Sequence, residues 1–361
     1  MKTDRHIVHV VPAPFDAKTG VIGGAERYAY ELARHMAAAA PTTLVSFGDA
    51  DSEETRGNLK VRVLGNAHYV RGQRTNPVSA KLLSAIAHAD VVHCHQQHVV
   101  ASSFAAAACR ISGRKVFVSD LGGGGWDVSG YVSTDRWYHG HLHISEYSRS
   151  LSSAQATDRS HVILGGVDTE HFFPIPFPEQ TGPVLFVGRL LPHKGVNDLI
   201  AGLPQGMPLE VIGRVHQQQH FADLQALAAG KAVTFRHSCD DRDLVRAYQK
   251  AMCMVLPSVY KDMYGAETRV PELLGQTLLE GMACGIPAIC TAVASMPEIV
   301  EDGVTGFVVP PNNPAALREK LRWLRDHPAQ RRAMGAAARQ RVLKTFTWPR
   351  VVERCMEIYD R

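Results

Sequence analysis

Val184-Leu185-Phe186-Val187-Gly188-Arg189-Leu190-Leu191-Pro192-His193-Lys194-Gly195 reads as an apolar run, a glycine turn carrying two cations, and then a helical period. A short unbroken apolar run bounded by turn residues fits a strand buried on both faces. Outward from it the pattern repeats, with further runs at Leu209–Ile212, Val233–Phe235, Met254–Leu256, Ile286–Cys290 and Phe307–Val309. An earlier series runs Ile7–Val11, Thr43–Phe47, Val61–Leu64, Val91–Cys94, Lys115–Val118 and His141–Ile144, with helical stretches such as Ala25–Met36 and Ala80–Ala87 between. Strand–helix alternation predicts parallel sheets covered by helices. The proline-rich segment Phe173-Pro174-Ile175-Pro176-Phe177-Pro178 separates the two series. The expected organisation is therefore α/β, with one Rossmann-like domain over 1–172, a linker at 173–180 and a second over 181–345. The stretch from Ala315 to Asp360 reads as helical and breaks at Trp348-Pro349; its last part, 346–361, is expected to return to the N-terminal domain.

The 361 residues are 45% hydrophobic and 20% charged, with a net charge of +4. That is an ordinary globular balance. Residues 1–176 carry 17 Lys+Arg against 16 Asp+Glu, and the remainder 22 against 19, so neither half is a polycation and nucleic acid is not the expected partner. The cysteines, Cys94, Cys109, Cys239, Cys253, Cys284, Cys290 and Cys355, are odd in number and form no CxxC pair, which predicts reduced thiols in a cytoplasmic protein. The apolar stretch Ile7–Val11 is too short for a membrane span, so a soluble protein is expected, with peripheral contact at the inner membrane face left open.

The second decisive stretch runs Pro271-Glu272-Leu273-Leu274-Gly275-Gln276-Thr277-Leu278-Leu279-Glu280-Gly281-Met282-Ala283-Cys284-Gly285-Ile286-Pro287. Two carboxylates eight residues apart along a helix axis would be separated by about 12 Å. They would hold two portions of one long ligand rather than share a proton or a metal. Between them, the free N–H groups near Gly275, Gln276 and Thr277 make a phosphate site. The bland alternative leaves Glu280 solvated and Glu272 as a charge favoured by the helix dipole. Arg189 and Lys194, at the end of an apolar strand, supply a rigid fork and a flexible point charge suited to a diphosphate without a metal. In the N-terminal half, Gly23-Gly24-Ala25-Glu26 places two glycines before a helix but lacks dinucleotide-type spacing.

On these motifs the chain resembles glycosyltransferase family 4, retaining enzymes of the GT-B fold with two Rossmann-like domains facing a cleft. Gly188-Arg189 with Lys194-Gly195 resembles the family's donor phosphate loop, and Glu272 with Glu280 its E-x7-E motif. Supporting segments are Gly23-Gly24-Ala25-Glu26, Gly166-Val167-Asp168-Thr169-Glu170-His171-Phe172, Asp302-Gly303-Val304-Thr305-Gly306-Phe307 and Phe346-Thr347-Trp348. The resemblance implies transfer of a sugar from a UDP- or GDP-sugar to an acceptor hydroxyl, with no metal or other cofactor. Glu280 would bind the ribose and Glu272 the donor sugar. Arg189 and Lys194 would neutralise the diphosphate, with help from Gly23, Gly24 and the backbone at Gly275, Gln276 and Thr277. The base is expected near His237 and Ser238. Three departures stand out. Asp120 occupies the place where many relatives carry a His, and Gly165 or Gly166 replaces an Asn. An extra segment, Tyr260–Arg269, precedes Glu272. A nucleotide-sugar epimerase on the same fold and a silent nucleotide-sugar-binding protein are the alternatives.

Thirteen of the eighteen histidines lie in the N-terminal half. His139, His141 and His143 would share one strand face, a weak zinc reading without a carboxylate or thiolate partner. His93, His95 and His98 end another strand and are expected to line the acceptor cleft, Gly122–Gly125 are expected to cradle the acceptor, and Asp120 is the catalytic candidate in the place of the family His. Asp49-Ala50-Asp51 is expected to be a surface loop rather than a metal motif.

Overall fold

The computed structural model describes residues 3–14, 24–122, 126–152, 158–175 and 182–361. Gly23, Gly123–Gly125 and most of the expected linker lie outside the described residues. The chain forms two units: Met1–Gly166 with Trp348–Arg361, and Val167–Thr347.

The first unit is built from β1 (Ile7–Pro14), α1 (Gly24–Met36), β2 (Thr42–Phe47), β3 (Ser52–Arg56), β4 (Leu59–Leu64), β5 (His68–Tyr69), β6 (Pro77–Val78), α2 (Lys81–Ile86), β7 (Val91–His95), α3 (Val100–Ile111), β8 (Lys115–Ser119), β9 (Gly140–His143), α4 (Glu146–Leu151) and β10 (Ser160–Val162). Its main sheet has the order β10-β9-β8-β7-β1-β2-β4-β3, parallel except for the edge strand β3, which runs antiparallel to β4. One face buries Val8, Val10, Val92, Cys94, Val116 and Val118 under α2 and α3. Helix α1 turns Tyr28, Ala29, Leu32, Ala33 and Met36 inward, the i, i+4 spacing of an amphipathic helix.

The second unit comprises β11 (Val184–Val187), α5 (Val196–Gly202), β12 (Leu209–Ile212), α6 (Gln218–Ala228), β13 (Val233–Arg236), α7 (Asp241–Lys250), β14 (Cys253–Leu256), α8 (Gln276–Ala283), β15 (Ala288–Thr291), α9 (Met296–Ile299), β16 (Gly306–Val309), α10 (Pro314–Asp326) and α11 (Pro328–Thr345). The order β13-β12-β11-β14-β15-β16 is all parallel and is the doubly wound 3-2-1-4-5-6 arrangement when counted within the unit. The opening stretch of sequence is its central strand: β11 is buried along its length between β12 and β14.

The chain enters the second unit at Val167, six residues before the expected linker. Val167 N–H donates to Phe346 O at 2.8 Å, and Arg339 donates to the carbonyls of Phe172 and Thr169. These bonds tie 167–172 to α11. After Thr347 the chain returns to the first unit as α12 (Trp348–Tyr359), which packs on α1. A Cβ at Gly166 would lie 2.6 Å from the Trp348 indole, so only glycine leaves room for that ring. Of the two glycines, Gly165 and Gly166, that stand where relatives carry an Asn, Gly166 has no room for that side chain.

Candidate functional site

Open parallel sheets present ligand sites at the carboxyl ends of strands, where the strand order reverses. In the second unit that point lies between β11 and β14. Gly188 and Arg189 follow β11, and a single turn, Pro192–Lys194, leads to Gly195. Gly195 has φ 66°, and a Cβ there would lie 1.9 Å from Pro257 O, at the end of β14. Both the left-handed backbone and the close approach exclude any larger residue. The turn is thereby pressed against the end of β14, and Val259 N–H donates to His193 O at 2.8 Å.

This packing delivers Lys194 to Glu272. The ammonium Nζ lies 2.7 Å from Glu272 Oε2 and 3.3 Å from Pro271 O. Glu272 Oε1 accepts the Gly275 N–H at 3.1 Å. Burial alone would push the carboxyl up, but Lys194 and the N–H groups of Gly275 and Leu274 outweigh it and hold Glu272 below its ordinary value. Two motifs that the sequence leaves 78 residues apart thus form one ion pair beside the start of α8. Gly275 caps that helix in the left-handed conformation, and Gln276 and Thr277 open its first turn, half-buried. Arg189 is exposed at the strand end, and among the described residues it makes no ion pair.

Glu280 does not reach solvent. It is buried on α8, and Tyr248 Oη on α7 donates to its Oε2 at 2.8 Å. The solvated-helix alternative for Glu280 is therefore overturned. Burial and the nearby Glu280 charge push the Cys284 thiol up. His237 follows β13, exposed, with Nδ1 3.2 Å from Gly213 O and its ring edge-on to Phe221. The Tyr260–Arg269 segment is turned on itself by an antiparallel backbone bridge between Lys261 and Glu267 and is fastened to this unit: Tyr264 Oη donates to Asp223 at 2.5 Å, and Tyr260 Oη accepts the Ala294 N–H at 2.9 Å.

Sequence reasoning missed two neighbours. His193 sits between the two cations, and burial, Lys194 and Arg189 lower it to about 4, so it is neutral at pH 7. Tyr248 had no local signal, since its role depends on a helix packed against α8. Both were visible only as ordinary residues of a turn and an amphipathic helix.

In the first unit, Asp120 follows β8 and its Oδ1 accepts the Gly122 N–H at 3.3 Å. Gly24 is the first residue of α1. The expectation is corrected for His93, which packs in the interior with His9 of β1; His95 is also buried but borders a small pocket with Val11, Ala25, Glu26 and Gln96, and His98 is exposed, 2.8 Å from Ser129 Oγ. His9 Nδ1 and His95 Nε2 are 2.8 Å apart, while His93 bonds Ser119 Oγ at 2.9 Å and Tyr359 Oη at 2.7 Å. Burial lowers all three, His9 to about 3, so the trio is a neutral hydrogen-bonded part of the core.

The zinc reading of His139, His141 and His143 also fails among the described residues. His139 precedes β9 and accepts the Val116 N–H through Nδ1, and His141 Nε2 lies 3.2 Å from Asp135 O. Asp51 pairs with Lys81 at 2.5 Å and accepts the Gly65 N–H, a structural use of that loop. The seven cysteines form no disulfide, and no helix among the described residues is long and apolar enough to cross a membrane.

Known proteins match both units. Residues 22–171 fit the model of Glycosyltransferase Family 4, and residues 167–341 that of the glycosyl transferases group 1. The chain is 34% identical over 216 residues to the D-rhamnosyltransferase WbpZ of Pseudomonas aeruginosa, covering 56% of this chain and 53% of that one. It is 31% identical over 207 residues to the glycogen synthase of Mycobacterium tuberculosis, covering 55% and 47%. The matches thus span about half the length of these curated relatives. The structure of Anabaena HepE in complex with UDP and glucose superposes with a TM-score of 0.74 at 17% identity, covering 99% of both chains. At that identity the likeness speaks for the fold alone. The chain belongs to glycosyltransferase family 4, and its two Rossmann-like domains have the GT-B fold.

Proposed function

We propose that this protein is a retaining glycosyltransferase that moves a hexosyl-type sugar from a nucleoside-diphosphate sugar to an acceptor hydroxyl. The observation that carries the reading is the Lys194–Glu272 pair at the start of α8, beside the exposed Arg189. In the resting site, Lys194 holds Glu272 ionised. When the donor binds, its diphosphate takes over the Lys194 ammonium, with Arg189 and the N–H groups at Gly275, Gln276 and Thr277. No metal is then needed.

Glu272 turns to a hydroxyl of the donor sugar, and Glu280, oriented by Tyr248, holds the ribose. Gly23, Gly24 and His237 serve the nucleotide, and Asp120 stands in for the His of many relatives as the catalytic carboxylate of the N-terminal unit. As the sugar–phosphate bond breaks, the ring gains positive charge. The leaving phosphate oxygen takes the proton of the acceptor hydroxyl while that hydroxyl forms the new bond on the same face. Stabilising the leaving charge contributes most to the rate, and losing one such group typically costs about 2.7–4 kcal/mol. The donor is a UDP- or GDP-sugar; the curated relatives include a rhamnosyltransferase and a glycogen synthase, so the sugar is left open.

The test separates the two glutamates. Interactions equal in ground and transition states change affinity but not the chemical step. Glu280→Gln should weaken binding of UDP or GDP, read by calorimetry. Glu272→Gln should not weaken that affinity, since it frees Lys194 for the diphosphate, and should slow single-turnover transfer in rapid quench. If Glu272→Gln loses nucleotide affinity and keeps its chemistry, the donor lies the other way round. NMR of the product's anomeric carbon decides retention.

A further inference from the structure

Beyond the donor site, the first unit exposes a compact group of large apolar residues. Trp126, Val128, Tyr131 and Val132 lie within seven positions, and Tyr131 is 74% exposed. Contiguous exposed apolar groups on a soluble domain mark binding surfaces. This one is held in place. Asn76 is fully buried, donates to Trp126 O at 2.6 Å and accepts the Val100 N–H at 2.9 Å. Asp127, also buried, accepts the Ser129 N–H at 2.8 Å and the Ser103 hydroxyl. The aromatic rings of Trp126 and Tyr131 meet edge to face, with centroids 6.1 Å apart.

A charged group is built into the same surface. Arg71 has φ 53°, a left-handed conformation that non-glycine residues adopt only at a cost. It places the guanidinium 4.6 Å from the Trp126 ring centroid. Arg74, exposed on the same loop, lies 6.0 Å from the Tyr69 ring, and among the described residues neither arginine makes an ion pair. Asn76 ends this loop and carries Trp126, so one buried amide fixes cations and aromatics together. The loop with Trp126 leaves the carboxyl end of β8, the edge at which parallel sheets take ligands.

We propose that Trp126 and Tyr131 form an acceptor platform that stacks a pyranose ring bearing an anionic substituent, with Arg71 and Arg74 as its counter-charges. The flat apolar face of a sugar fits an aromatic ring, and stacking removes both from water. A phosphate or carboxylate on that sugar pairs with a guanidinium fork. The inference rests on the transferase reading, since it supplies the acceptor for that reaction.

Methyl α-glucoside and glucose 6-phosphate serve as neutral and anionic probes, followed by tryptophan fluorescence and saturation-transfer NMR on the full chain. The wild type should bind glucose 6-phosphate more tightly than the glucoside. Tyr131→Ala, at a solvent-exposed position, should weaken both by about three- to tenfold, the range of one aromatic contact. Arg71→Gly relieves the left-handed backbone, so it should fold at least as well and bring the two probes to within about twofold of each other. UDP and GDP affinities should be unchanged in both variants. Absence of probe binding to the wild type, or equal binding by Tyr131→Ala, overturns the platform while nucleotide binding and donor turnover leave the transferase reading standing. Loss of nucleotide binding in the wild type would sink the transferase reading instead.

Discussion

The buried histidines of the first unit make its stability depend on pH in a calculable way. His9 is lowered to about 3 by burial, against an ordinary value of 6.5. Its neutral form is favoured in the native state, so its stabilising effect is complete above pH 6.5 and is lost as pH falls towards 3. At pH 5, the unfolded imidazole is largely protonated and the native one is not, a difference of about 2 kcal/mol. His93 and His95 are lowered in the same direction and deepen the loss. Because a two-unit chain need not unfold in one step, a local probe is required. Hydrogen exchange of peptides covering β1 and β7, corrected for intrinsic rates, reads this unit alone. Between pH 7.5 and 5.0, His9→Leu should lose less protection than the wild type by about 30-fold, the equivalent of that ~2 kcal/mol. Identical losses in the two proteins would show that His9 is hydrated or charged in the native state, and the neutral-core account would fall.

The other expectations concern the second unit. EDTA should leave donor turnover intact; activity lost and then restored by manganese or magnesium would return a metal to the mechanism. Lys194→Ala should slow transfer by at least about 100-fold. It should also lower stability by about 1–3 kcal/mol, because the part-buried Glu272 carboxylate loses its partner, and urea unfolding checks this. A Lys194→Ala protein with wild-type turnover would remove that residue from the chemistry. Gly195→Ala should destabilise the unit by more than about 2 kcal/mol, since the new methyl meets Pro257 O and the backbone is left-handed; an unchanged melting temperature would contradict that packing.

Much of the architecture was legible because the central strands are apolar and buried on both faces, which leaves an unmistakable run such as Val184–Val187. The strand β3, Ser-Glu-Glu-Thr-Arg, was not legible. It is an edge strand, largely solvent-facing, and ladder bonds to β4 hold it without any apolar pattern. The histidines mark a second limit. The two-residue spacing of His93 and His95 gives a shared face, but spacing does not reveal which helix covers that face. Tyr359 of α12, arriving from 266 residues away, covers His93 and turns a would-be site into core.

The same reasoning explains what was hidden at the proposed donor site. Residue type and strand-end position singled out Arg189 and Lys194 as candidates, and the eight-residue spacing of two carboxylates with the family resemblance singled out Glu272 and Glu280. Pairing is a property of packing and so escaped: the Lys194–Glu272 contact depends on Gly195 fitting against Pro257 O, and the Tyr248–Glu280 bond on α7 lying along α8. That pairing changes the expected energetics. A cation already neutralised by a carboxylate gives a diphosphate less net attraction than a free one, so on the proposed mechanism part of the donor's binding energy would go into separating Lys194 from Glu272. The separation is useful where the freed carboxylate is then stabilised by the positive charge that develops on the sugar ring. An ion pair that must open on binding therefore shifts stabilisation from the ground state towards the transition state.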